Sequence, residues 1–375
     1  RTFTDAAKKR LGLSTKLSGC GAQFAATRRH AAYWSMSCAT LDKVVAGTRF
    51  STVATFLEAV PQLAAKLETA RQGLVQQGLS FNDGAPLANA VRSSLRQGML
   101  VLMIQKKNRD TLTCSLCQGQ AATLRGAGGP GSAGFLQFPC EAATSMEDCW
   151  WSVALRQRLG LARAEASESE LASVSTTCCC RAASTGNVCN GLLDEDGFHA
   201  ITEQSGGGVV VRHNRLARVV GSLVKRWRHQ EPLYEQRVPT WDRPNRRSRL
   251  ANTVEHAVLD VEFTDANGRC WIDVSVRHPA AGDASALRAA SRKDGEATRR
   301  AERAKHERYP GPQLVPFVVE TPGRIGAEAR FWLLSQVRAL PDDIQSAELA
   351  RAYKMISCAV QSDIAKQLRR AAGLP

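Results

Sequence analysis

Acidic residues line one face of a β-hairpin that the sequence predicts around Asn267-Gly268. This dipeptide lies between two β-rich runs and is typical of a two-residue hairpin turn. A turn at these residues places Glu262 opposite Asp273 and Asp260 opposite Ser275, with all four side chains on one face. Carboxylates this close repel each other, and a hard cation such as Mg²⁺ or Mn²⁺ relieves the repulsion by binding them together with water and phosphate oxygens. The hairpin is therefore a candidate metal site.

The alternative is that these acids form only the solvent-exposed face of the hairpin, and the charge of the surrounding sequence argues against it. Residues 206–310 contain 21 Lys and Arg against 13 Asp and Glu, a net charge of +8, which is about half of the +15 of the whole chain. A basic frame favours a polyanionic partner. Nucleic acid explains an acidic cluster inside that frame better than an anionic membrane does, because a metal-bound phosphodiester needs both kinds of charge.

The remaining composition bounds the class of protein. The chain has 375 residues and begins at Arg1 rather than Met, so we expect a piece of a longer polyprotein. No run of about 18 apolar residues is present, and no segment resembles a secretory signal. We therefore expect no membrane partner and an intracellular, reducing compartment. In such a compartment, clustered members of the 12 Cys favour metal binding over disulfides.

Periodicity and composition predict the elements that must position the hairpin. Apolar residues recur at helical spacing in the first hundred residues, and Gly and Pro accumulate after them. The fold class is predicted as α+β, with these divisions: a helical region at 1–105, a linker or surface loop at 106–134, a helical segment with Cys and His residues at 135–205, an α/β domain at 206–340 and a C-terminal helix at 341–375. Within the α/β domain, residues 284–309 are predicted to form a helix and residues 315–320 a strand.

An ordered series of motifs carries a resemblance to a known family. In chain order the motifs are Arg212-His213-Asn214, Glu235 ahead of Val238-Pro239, Asp260 followed by Asp273, Lys305 followed by Tyr309, and Val319-Glu320-Thr321-Pro322-Gly323. The series resembles the restriction-like endonuclease domain at the C-terminus of LINE-type (non-LTR) retrotransposon polyproteins, a branch of the PD-(D/E)xK nuclease superfamily. The likeness covers residues 131–330. Residues 1–105 resemble, more weakly, the helical region that follows the polymerase.

The resemblance implies a restriction-endonuclease-like α/β domain with a central mixed sheet, and it assigns roles to individual residues. Asp260 and Asp273 would bind Mg²⁺ or Mn²⁺, and Glu235 would be an auxiliary acid. Lys305 would replace the lysine that simpler members carry at the position of Ser275, and it would act on the attacked phosphate. The candidate nucleic-acid contacts are Arg212, His213, Asn214, Arg299 and Arg303.

The same family carries a zinc knuckle before the Arg-His-Asn motif. The corresponding residues here are Cys180, Cys189, His199 and Glu203, with Cys178 and Cys179 as further candidates. Glu203 stands where a cysteine is expected, and structural zinc prefers sulfur and nitrogen, although it accepts carboxylate oxygen. A zinc-binding knuckle, a decayed knuckle and a chance cluster are all open interpretations of this segment.

The function implied by the resemblance is that of a metal-dependent endodeoxyribonuclease. It would nick target DNA in the nucleus and expose a 3′-OH that primes reverse transcription. A reverse transcriptase domain is expected upstream, the RNA of the element is an expected partner besides DNA, and no small-molecule cofactor is expected. Two alternatives are a catalytically decayed nucleic-acid-binding module of the same fold and a basic helical scaffold without a nuclease fold. Intact Asp260, Asp273 and Lys305 favour the enzyme, whereas Glu203 and Leu259, the latter in place of an expected proline, favour decay.

Overall fold

A computed structural model of the chain shows an α+β fold around a mixed sheet. It describes residues 4–22, 24–81, 86–92, 97–139, 141–161, 177–182, 185–204, 207–244, 253–265 and 268–374. The predicted fold class is confirmed at this level.

The N-terminal region is helical and has a hydrophobic core of its own. Fully buried side chains from several helices, including Trp34, Leu67, Leu74 and Ile104, form this core. Pro61 starts a new helix because its fixed φ suits a first helical turn but not a helix interior. The helices are α1 (Asp5–Gly12), α2 (Ala25–Ala46), α3 (Val53–Ala59), α4 (Pro61–Gln76), α5 (Leu87–Arg92), α6 (Gln97–Cys114) and α7 (Gln118–Gly126).

Residues 106–134 do not form the predicted linker or surface loop. The end of α6 and all of α7 lie in this segment, and α7 packs against the helix formed by residues 284–292. The glycines that suggested a loop permit close packing instead. A Cβ added to Gly134 would lie 2.8 Å from the backbone of Lys354, and one added to Gly126 would lie 2.6 Å from the Glu320 carboxylate. Glycine is required at these two positions because neighbouring residues lie too near for a side chain.

The central sheet has four strands in the order β1-β4-β5-β6, and a separate pair is formed by β2 and β3. The β1–β4 and β4–β5 pairs are antiparallel, and the β5–β6 pair is parallel. The mixed sheet implied by the resemblance is therefore present. The strands are β1 (Leu233–Arg237), β2 (Arg243–Pro244), β3 (Val254–Glu255), β4 (Val258–Asp265), β5 (Gly268–Arg277) and β6 (Leu314–Glu320).

The predicted hairpin is formed by β4 and β5, but its register differs from the prediction by two residues. Asp265 pairs with Gly268, and Glu262 pairs with Trp271 rather than with Asp273. The connection therefore falls at residues 266–267, which lie outside the described residues. Side chains alternate between the two faces of a strand, so a shift of two residues keeps every side chain on its predicted face.

Helices cover both faces of the sheet. On one face, α10, α13 and α14 bury a core with sheet residues such as Val261, Ile272 and Phe317. The predicted helix at 284–309 is divided at Gly295, whose φ of 71° caps the second part. The helices in this half of the chain are α8 (Asp148–Leu159), α9 (Phe198–Thr202), α10 (Gly208–Arg228), α11 (Ala284–Arg292), α12 (Glu296–Arg308), α13 (Ala327–Arg338) and α14 (Asp342–Ala371).

Candidate functional site

Asp260 and Asp273 meet where the pairing of β4 with β5 ends. The ladder stops at Val261 and Ile272, and the next step of the register brings the two aspartates side by side. Beyond the end of the ladder, the Val274 N–H donates to Asp260 Oδ2 at 2.6 Å, so a carboxylate replaces a strand partner there. The two acids therefore lie closer together than the predicted register required, in a fork between the strands.

Lys305 reaches the same fork from α12. Its Nζ lies 2.5 Å from Asp273 Oδ2, and it donates to the Val274 carbonyl at 3.4 Å. The side chains of Lys305 and Asp273 are 11% and 12% exposed, so this ion pair is largely shielded from water. Helix α12 belongs to the crossover between β5 and β6, and this connection carries Lys305 back over the strand that holds Asp273.

The electrostatics of Asp273 are unusual for an aspartate. Its pKa is raised to about 6, mainly by burial and in addition by the neighbouring Asp260, whereas Lys305 lowers it. Two carboxylates thus share a site with one ammonium group. A buried acid beside a second acid is poorly stabilised in its charged form unless additional positive charge is supplied.

His213 completes the fork, although the sequence indicated only a phosphate contact for it. It lies on α10, and its Nε2 is 2.9 Å from Asp260 Oδ1. This hydrogen bond raises the pKa of His213, and burial lowers it in part. Asp260 is therefore held on one oxygen by an imidazole and on the other by the Val274 N–H. No periodicity or spacing in the sequence could have placed a residue of α10 beside β4.

Glu235 of β1 lies opposite Asp260 of β4 but has a different environment. Tyr234 pairs with Val261 and Gln236 with Leu259, so Glu235 occupies the register position beside Asp260. Its backbone has a φ of 52°, in the left-handed region that non-glycine residues rarely adopt, and its side chain is exposed. Glu235 is thus next to the site in the sheet, with its carboxylate in solvent.

Glu262 is engaged outside the fork, contrary to the predicted pairing with Asp273. Its carboxylate accepts a hydrogen bond from Trp271 Nε1 at 3.2 Å and lies 3.5 Å from Arg269 Nε. Ser275, the other residue predicted on this face, is buried in β5 beside Val318 of β6. The acidic pair of the fork therefore consists of Asp260 and Asp273.

The predicted nucleic-acid contacts divide into a buried and an exposed group. Arg212 is buried, and its guanidinium donates to Gln367 Oε1 at 2.9 Å and to the Ile201 carbonyl at 3.4 Å. In this conformation the side chain is not accessible to a phosphate, so its burial does not support the predicted contact of Arg212 with nucleic acid. Asn214, Arg299 and Arg303 are exposed, as a contact with nucleic acid requires.

The Cys/His segment forms a second cluster, with one change in its membership. Among the described residues, ligand atoms of Cys178, Cys189 and His199 lie within 4.8 Å of one another, so this group could hold a metal ion. Cys178 occupies the place that the sequence assigned to Cys180. The Cys178 N–H donates to the Gly191 carbonyl, and Gly191 lies so close to the His199 ring that a Cβ there would be 2.5 Å from it. This contact places Cys178 beside His199.

Glu203 supplies a fourth group to the cluster. Its Oε2 lies 3.0 Å from Cys189 Sγ and 3.5 Å from His199 Nε2. His199 lies in the short helix α9, and Glu203 is the residue that follows its last turn. Asp194 holds the start of this helix, because its carboxylate accepts the N–H groups of Phe198 and His199, both at 2.7 Å.

Comparison with protein-family models gives no match, and comparison with curated proteins gives none either. Among the helices that the structure describes, none has both the length and the apolar character required to cross a membrane.

Proposed function

We propose that the chain is a metal-dependent DNA endonuclease of the kind found in LINE-type retrotransposon polyproteins, and that it nicks nuclear DNA to prime reverse transcription of the element's RNA. One observation carries the proposal. Asp260 and Asp273 from neighbouring strands and Lys305 from the crossover helix, far apart in sequence, contact one another in a single fork. These are the residues in which the resemblance located the chemistry.

The donor set of the fork suits a hard divalent cation. Asp260 and Asp273 offer carboxylate oxygens, and burial makes it costly to charge Asp273 with only Lys305 as compensation. Mg²⁺ or Mn²⁺ bound by the two carboxylates would neutralise phosphate charge and lower the pKa of a water molecule. His213 holds Asp260 in one orientation, so its carboxylate is positioned before a metal or DNA binds.

Lys305 has a distinct role in the proposed reaction. The ammonium group is held between Asp273 and the Val274 carbonyl, at the edge of the acidic pair. From there it can orient the attacking water or stabilise the negative charge that develops on the phosphate. The exposed Arg299 and Arg303 lie on the same helix, where they can hold flanking phosphates of the DNA backbone.

A plasmid assay tests this function directly. Supercoiled plasmid incubated with the full chain and Mg²⁺ or Mn²⁺ should be nicked, and Asp273→Ala should abolish nicking while leaving the cooperative thermal transition in place. Chelation by EDTA should stop the reaction. Folded protein that binds DNA but never nicks it with either metal would refute the nuclease and support the nucleic-acid-binding module instead.

The Cys/His cluster is proposed to hold structural zinc through Cys178, Cys189, His199 and Glu203. Two sulfurs, one nitrogen and one carboxylate oxygen are all ligand types that zinc accepts. The contacts among Cys189, His199 and Glu203 support four-coordination without a third cysteine. Metal analysis of the purified chain should give about one equivalent of zinc, and a content far below half of that would indicate a decayed knuckle.

A further inference from the structure

A cavity of about 430 Å³ lies away from the nuclease fork, between the N-terminal helices and the end of α14. Residues of α1, α7, α8, α9 and α14 line it. Val153, Phe198 and Leu368 give it an apolar wall. Cavities of this size and character are typical of sites for small organic molecules. Neither the nuclease fork nor the Cys/His cluster uses any of these three side chains.

Two guanidinium groups in the lining have donors without acceptors. Arg10 of α1 is only 5% exposed, and its Nε has no hydrogen-bond partner. Arg156 of α8 has a buried Nη2 that also lacks a partner. A buried donor without an acceptor costs free energy, and a buried charge costs more, so both groups would gain from an anionic acceptor.

The backbone around Arg10 accommodates its guanidinium. Gly160 ends α8 with a φ of 67°, and a Cβ at this position would lie 2.2 Å from Arg10 Nη1. Only glycine leaves room for the arginine against this turn. Burial lowers the pKa of Arg10 to about 10, so the group is still positively charged at neutral pH.

The acids of the cavity leave the buried Nε donor of Arg10 without an acceptor. Asp148 and Glu195 are exposed and solvated at the rim. Asp196 lies deeper and attracts Arg10 electrostatically, but both of its oxygens accept from Gln120 Nε2 at 3.2 Å, and Arg10 Nε is left without a partner. The polar groups that lack partners inside the cavity are thus guanidinium donors.

We propose that this cavity is a binding site for a small organic anion, with its charged group on Arg10 and Arg156 and an apolar body against Val153, Phe198 and Leu368. Guanidinium groups bind carboxylate, phosphate and sulfonate oxygens through charge-assisted hydrogen bonds, which are about twice as strong as neutral ones. The apolar wall selects a ligand that carries a hydrocarbon or aromatic portion over a free inorganic anion. The site is independent of the proposed nuclease activity.

A pair of fluorescent probes separates recognition of charge from recognition of apolar surface. Anilinonaphthalene sulfonate carries an anionic group on an aromatic body, and phenylnaphthylamine is its uncharged counterpart. Both should bind the 375-residue chain in its folded state. Arg10→Met and Arg156→Met should each weaken the sulfonate about tenfold or more while changing the neutral probe by less than about twofold. Val153→Trp, which fills the cavity, should weaken both probes.

Thermal unfolding of each variant shows whether a loss of probe binding reflects the binding site or a loss of the fold. Arg10→Met should fold with an unchanged or higher midpoint, because it removes a buried donor that lacks a partner. Wild-type affinity for the sulfonate in both arginine variants would overturn the proposal. So would an equal loss of both probes in those variants, since the arginines would then shape the cavity without recognising charge.

Discussion

The fork that holds Asp260, Asp273 and Lys305 and the Cys/His cluster are built on different kinds of backbone. In the fork, Asp260 and Asp273 extend from paired strands, and the alternation of side chains fixes the face on which each carboxylate lies. In the cluster, Cys178 and Cys189 lie in irregular chain with isolated bridges, and α9, which carries His199, has only five residues. In a strand ladder, a register error of two residues leaves every side chain on its predicted face. In irregular chain no such alternation exists, so an error in the predicted pairing changes which side chains meet.

The two regions also hold their groups by different means. Around the fork, Val274 fixes Asp260 through its N–H and Lys305 through its carbonyl, so one residue of β5 organises both side chains. In the cluster, the ligand groups contact one another directly, as when Glu203 accepts from Cys189. The fork is preorganised by the backbone, and the cluster depends on a shared ion or on those mutual contacts.

The largest effect is expected for substitution of Asp260, because the pairing of β4 with β5 makes Asp260 and Asp273 the acidic pair. Asp260→Asn should lower the nicking rate about a thousandfold, because a metal contributes several kcal/mol to such a reaction and each 1.36 kcal/mol is worth a factor of about ten. Glu262→Gln should keep activity within about threefold, because Glu262 binds Trp271 and Arg269 outside the fork. Single-turnover nicking of supercoiled plasmid measures both.

The register predicted from the sequence gives a different expectation for Glu262→Gln. If Glu262 faced Asp273, as a turn at Asn267-Gly268 predicts, then Glu262→Gln would be as damaging as Asp260→Asn. Equal losses in the two variants would show that the observed pairing of Glu262 with Trp271 is not the one that operates in catalysis.

Lys305 has the next largest expected effect. Lys305→Met keeps most of the length of the side chain but removes the charge beside Asp273, and it should lower the nicking rate about a hundredfold. DNA affinity should change little, since Lys305 is largely buried. Arg303→Met on the same helix is the matched control and should retain the rate at saturating DNA. A Lys305→Met rate equal to that of the control would exclude Lys305 from the chemistry.

Much of the sheet region could be predicted from sequence because its patterns are regular. The two β-rich runs, the strand at Leu314–Glu320 and the C-terminal helix at Asp342–Ala371 form close to where the sequence placed them. The ordered acids and Lys305 also converge. The precise register could not be predicted, because either Asn267-Gly268 or the two residues before Gly268 can make a two-residue connection between the same strands.

Other features depend on tertiary contacts that local sequence does not encode. The glycines between residues 106 and 134 suggested a loop, yet Gly126 and Gly134 serve close approach to distant chain. His213 joins Asp260 only because α10 packs on the sheet. Spacing alone does not distinguish Cys178 from Cys180 as a ligand, and the contact of Gly191 with His199 decides between them.

In the Cys/His cluster, Cys178 and Cys180 are nearby cysteines that allow a matched comparison. Cys178→Ser should weaken zinc binding at least about tenfold, since loss even of a group outside the ligand set costs that much in metal sites. Cys180→Ser should retain zinc, because Cys180 is buried beside the cluster and is not a member of the set. Competition with a chromophoric chelator measures both affinities. The reverse result would restore the ligand set that the sequence predicted.

The smallest expected effect concerns two arginines near the two sites. Arg303 is exposed on α12, whereas Arg212 is buried and joins α10 to Ile201 of α9, which carries part of the cluster. Arg303→Met should reduce the slope of log affinity for DNA against log salt by about 1, because one phosphate contact is lost. Arg212→Met should leave that slope unchanged and lower the free energy of unfolding by about 1 kcal/mol, because Gln367 loses its donor. Salt titrations of DNA binding and denaturant unfolding measure the two quantities, and a reduced slope in Arg212→Met would show that this arginine reaches DNA after all.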